Sequence, residues 1–141
     1  LAPLLGRAVA RYGERNALVL EYFGLALVFF AYGGIYLFGW GILIAASLYI
    51  LDHLFFALAL AIKTYFQKIA DPQDIAATAA VAFTINHIAA IFLPVSLGFL
   101  WLISPFLVFC TAGTLAIFSF VLALLIPREP RIGKETIFCV S

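Results

Sequence analysis

Two short polar insertions interrupt an otherwise apolar chain. In LYILDHLFFALAL, residues 48–60, Asp52 and His53 stand side by side; in AFTINHIAAIFLP, residues 82–94, Asn86 and His87 do the same. A histidine changes charge near neutral pH, and a neighbouring carboxylate can stabilise or exchange the proton it carries. A set of this kind can pass protons or hold the polar part of a solute. Successive positions on a helix diverge by about 100°, so Asp52 is expected to reach across to another helix, with His87 as its partner, and not to pair with His53. The competing structural reading is an interhelical hydrogen-bond network that holds helices together. Asn86 and Thr84 read as packing or helper groups.

These residues lie in elements that must cross a bilayer. The 141-residue chain is 66% hydrophobic and 11% charged, against roughly half and a quarter in a soluble domain. Too little polar surface remains to cover a water-soluble globule. Four runs reach the roughly 20 residues a spanning helix needs: about 17–35, 40–62, 75–100 and 105–126. The runs are continuous and show no two-residue alternation, so the fold class is an all-α integral membrane protein, with segments 1–16 and 127–141 outside the transmembrane domain. Asp52 falls about 18 Å into the second run and Asn86 about 16 Å into the third, at 1.5 Å per residue. On antiparallel neighbouring helices, both pairs would share one level near the bilayer midplane, where ionisable groups are costly and generally functional.

The basic residues set an orientation. Arg7, Arg11 and Arg15 precede the first run, Lys63 and Lys68 lie between the second and third, and Arg128, Arg131 and Lys134 follow the fourth. The other two connections are uncharged, so both termini and the middle loop are expected on the cytoplasmic side. In KIADPQDIAA, Asp71 suits an N-cap, Pro72 the first helical position and Asp74 the first turn. Pro94 removes a backbone donor within the third run and reads either as a hinge or as a tolerated membrane proline. Ala76 and Ala80 have small-xxx-small spacing for close helix approach; Tyr32, Tyr36, Trp40 and Trp101 suit an interfacial belt. Glu21, shallow in the first run, is expected to pair with Arg15 or another loop base, and Lys63 to snorkel. Cys110 reads as a small buried hydrophobe, and Cys139, third from the end, does not complete a prenylation box. The chain starts at Leu1 and contains no Met, so it is expected to be part of a longer or processed protein.

The stretch GRAVARYGER, Gly6 to Arg15, resembles the cytoplasmic loop motif of the major facilitator superfamily, G-x-x-x-D-R-x-G-R-R. Gly6, Arg11, Gly13 and Arg15 match; Ala10 stands where the motif has Asp, and Glu14 where it has Arg. YFQKIADPQDIAAT and TINHIAA are also similar in texture to bacterial members. A degenerate copy of the motif lies between the eighth and ninth helices of such transporters. The resemblance therefore implies that the four runs correspond to helices nine to twelve, part of the second six-helix bundle. It implies that Asp52 or His53 faces the central cavity, that Pro94 bends a helix that moves in rocking, and that Arg11 and Arg15 latch a cytoplasmic gate onto an acidic group.

The resulting expectation is secondary active transport of a small solute, proton-coupled and by alternating access, in a bacterial inner membrane. Asp52, His53, Asn86 and His87 would line the pathway, and the partners would be lipid, protons, the solute and the remaining helices or subunits. Alternatives are a four-helix multidrug-type exporter that dimerises and uses Glu21, and a non-transporting membrane subunit. No Ser/His/Asp set, Cys pair or clustered metal ligands point to an enzyme, a cofactor or a metal, and the bases are too scattered for nucleic acid.

Overall fold

The computed structural model describes residues 7, 9, 11–132 and 134–138. Helix α1 runs Glu14–Phe38 and α2 runs Ile42–Phe56. A 3-10 turn at Ala57–Ala59 leads directly into α3, Leu60–Ile69. Then come α4, Ile75–Ile103, and α5, Pro105–Leu124. Four helical spans are long and apolar enough to cross a membrane: α1, α2 with its continuation into α3, α4 and α5.

The boundaries have local causes. Gly13 precedes α1 at φ +85°, and Gly39 follows it at φ +64°; glycine adopts these values without the Cβ clash that penalises other residues. The Gly39 N–H donates to the Ile35 carbonyl, closing the last turn. Ser104 adopts an extended conformation between α4 and α5, and Pro105 opens α5 at a position that needs no N–H. The α4 start differs from expectation. Its N-cap is Asp74, not Asp71. Asp71 instead organises a preceding turn: its Oδ1 accepts the Gln73 N–H at 3.1 Å and its carbonyl accepts the Asp74 N–H at 2.9 Å. Aspartate favours such side-chain-to-backbone turns, which here delay the helix by three residues. Helix α4 continues through Pro94.

Helix α1 is the centre of the assembly. It packs most extensively on α5, and also on α2, the 3-10 turn and α3, while α4 packs on α5. Close approach comes from glycine opposite aromatic rings. Gly24 faces Phe55 of α2, Gly33 faces Phe106, and Gly113 of α5 faces Phe30 of α1. Ala76 and Ala80, expected to pack, are exposed on α4. At one end of the bundle Tyr32, Tyr36, Trp101 and Phe109 form a ring cluster with centroids 5.2–6.1 Å apart, and Phe38 stacks on Trp40. These include all four residues expected in the aromatic belt. At the other end the tail folds back, with Tyr65 Oη donating to the Glu135 carbonyl at 2.6 Å and the Ile137 N–H to the Leu125 carbonyl at 2.9 Å.

Candidate functional site

The two polar insertions adopt the same local geometry. His53 Nδ1 lies 3.1 Å from the Tyr49 carbonyl, and His87 Nδ1 lies 3.0 Å from the Phe83 carbonyl. A carbonyl only accepts, so in each neutral ring Nδ1 carries the hydrogen and Nε2 keeps its lone pair. Each imidazole also packs, tilted, against the aromatic ring one turn back, with centroids 4.2 Å from Tyr49 and 3.9 Å from Phe83. Aromatic-x-x-Asx-His is therefore a repeated unit, Tyr49 to His53 and Phe83 to His87. Its helical spacing satisfies one ring nitrogen internally and leaves the other available. The sequence reading found the Asx-His pairs but missed the aromatic four residues before each histidine, a signal present in both stretches.

The units differ in charge. Asp52 Oδ2 lies 3.6 Å from His53 Nδ1, so the adjacent pair comes together, contrary to expectation. The 100° divergence of neighbouring positions still prevents a short hydrogen bond, but the carboxylate reaches ion-pair range. In the second unit Asn86 takes the carboxylate's place, so His87 has no charged neighbour in sequence. Thr84 donates to the Ala80 carbonyl at 3.0 Å, which satisfies its hydroxyl within the helix.

The two units are not brought together. Helix α2 packs on α1 and α4 on α5, and α2 and α4 do not form a packed pair. The expected Asp52–His87 contact is absent among the described residues, because the α1–α5 pair separates the helices that carry them. Neither α2 nor α4 buries any residue; the His53 side chain is 59% exposed and that of Asp52 27%. Asp52→Asn and His87→Gln are accordingly expected to change stability additively, within about 0.5 kcal/mol, in a double-mutant cycle read by denaturant unfolding in micelles. A larger coupling would show that the units meet.

The loop motif at the α1 start is only partly within view, since Gly6 and Ala10 lie outside the described residues. Gly13 is required by its positive φ. Arg11 lies over the Tyr12 ring at 5.9 Å. The acidic residue in the motif makes the strong contact: Glu14, 4% exposed, accepts from Lys68 Nζ at 2.7 Å, tying α1 to the end of α3. Losing Lys68 would leave a buried carboxylate unpaired, so Lys68→Ala is expected to cost about 1–3 kcal/mol. Glu14→Gln should cost less, since it leaves no buried charge, and unfolding of both variants followed by circular dichroism checks the asymmetry. Glu21, expected to pair with Arg15, is 3% exposed and its Oε2 has no hydrogen-bond partner. The orientation of α1 directs this side chain into the packed interior.

Concavities lie along the bundle among the described residues. One of about 370 Å³ is lined by Val9, Tyr12, Asn16, Ala17, Leu20 and Leu58. Another, of about 220 Å³, lies between Phe23, Phe30 and Phe120. Neither includes the Asx-His units, which occupy open helix faces. Among the described residues no three potential ligands cluster to hold a metal. Comparisons with protein-family models, curated proteins and solved structures find no match.

Proposed function

We propose that this chain contributes to secondary active transport of a small solute, coupled to protons and working by alternating access. The observation that carries the reading is the repeated Asx-His unit, placed in the middle third of two spans on faces the chain leaves open. A lipid-facing carboxylate at that depth would cost a few kcal/mol, so these faces suit water, solute or further protein helices. The 3-10 turn within the second span adds support, because a break in a spanning helix is a frequent hinge and transporters build their sites at such breaks. Gly13, Arg11 and Arg15, with Gly6, would serve a gate on the cytoplasmic side, where Glu14–Lys68 fastens α1 to α3. Pro94 would supply compliance in α4.

The test uses everted membrane vesicles containing the protein and a pH-sensitive dye, challenged with a panel of organic cations, organic acids and sugars. Proton movement on addition of at least one solute class, absent from vesicles without the protein, is expected. Solute movement indifferent to the proton gradient would refute coupling, and no movement across the panel would favour a non-transporting subunit.

A further inference from the structure

Glu21 is buried by this chain's own helices, and it lies beside the break in the second span. Gly24 of α1 faces Phe55 of α2, and Leu18 shares a core cluster with Ala61 of α3. The antiparallel register between those contacts puts Glu21 level with Leu58, the middle residue of the Ala57–Ala59 turn, against which α1 packs. The Glu21 carboxyl at this level is 3% exposed with Oε2 unpartnered. The turn leads directly into α3, so the carbonyl end of α2 meets the N–H end of α3 and the two dipole ends offset each other.

Among the described residues no ion pair to Glu21 is formed. On α1, Glu14 is committed to Lys68, Arg15 is nearly two turns away and Tyr22 is the adjacent ionisable group. Across the interface, the residues from Leu54 to Ile62 include no ionisable side chain; Asp52 and His53 lie before them and the exposed Lys63 after them. Helix α5 contributes only Cys110, near its opposite end, and Arg7, Arg11 and Arg128 flank Val9 and Ile126, which pack on the Leu18–Ala61 cluster. An unpaired carboxylate buried among apolar groups costs several kcal/mol, so this arrangement calls for a bound positive charge.

We propose that Glu21, packed against the Ala57–Ala59 turn, is a membrane-embedded proton-binding site. The site stands on packing alone and does not require the transport reading. It is tested by infrared difference spectroscopy on the full chain reconstituted in lipid, while the perfusing buffer is switched in pH or from choline to sodium. A carboxyl band that responds and disappears in Glu21→Gln is expected. A response to pH supports the site, whereas a response to sodium at constant pH with none to pH would overturn the proton assignment. Glu21→Asp keeps the carboxyl but shortens its reach, so its band should shift, and this variant decides the matter if the glutamine variant misfolds. Spectra in which neither variant differs from the parent protein under either switch would overturn the site.

Discussion

Under the proposed transport function, Asp52→Asn is expected to lower proton-driven solute movement at least about 100-fold, the scale lost when an obligatory proton-transfer group is removed, while solute exchange without a gradient persists. The two side chains have the same shape, and Asp52 is 27% exposed, so little packing is at stake. What disappears is the negative charge 3.6 Å from His53 Nδ1. The histidine's hydrogen bond to the Tyr49 carbonyl remains, which preserves its position and separates loss of charge from loss of geometry. The measurement is uptake in vesicles with and without an imposed proton gradient, using whichever solute class moves protons in the parent protein. Undiminished gradient-driven uptake in the variant would remove Asp52 from the pathway.

Gly24→Leu should produce the largest structural effect. A Cβ at this position would lie 2.5–2.6 Å from the Phe55 ring atoms, well inside van der Waals contact. Ring rotation can relieve part of a methyl group's intrusion, but not that of a branched side chain. The helices must then separate, at a cost of about 1–3 kcal/mol or more. Because Gly24 lies one turn from Glu21, separation would also admit water to the buried carboxyl. Phe55→Ala in the same chain restores the missing volume and is expected to recover most of the stability. Thermal unfolding in detergent reads both variants; equal destabilisation by the single and double substitutions would show that Gly24 and Phe55 do not oppose each other.

The candidate site was legible to different degrees. Asp52, His53, Asn86 and His87 stood out because polar groups in apolar runs are conspicuous, and counting along a helix gives depth. Their partners were not legible. Asp52 was assigned to His87 on the assumption that consecutive spans are neighbours, whereas α1 and α5 intervene. Glu21 was assigned to a loop base because it is close to the helix start in sequence, yet its side chain points into the packing interface. The interruption at Ala57–Ala59 was missed because Ala-Leu-Ala carries no Gly or Pro to mark it. The same insensitivity hid the late start of α4, since Asp71 and Asp74 are both good capping residues.

Composition and run length by themselves determined that the chain forms helices able to cross a membrane, since about 20 consecutive apolar residues admit few other structures. Spacing also determined the histidine geometry, because a ring and the carbonyl four residues earlier share one helix face. Which faces meet was decided only by the tertiary structure. These spans are apolar on nearly every side, so no polar stripe announces an outer face as it does in a soluble helix. The choice then rests on shape, through Gly24 against Phe55 and Gly113 against Phe30. Such complementarity exists only between folded helices, and it is what leaves the Asx-His units open while burying Glu21.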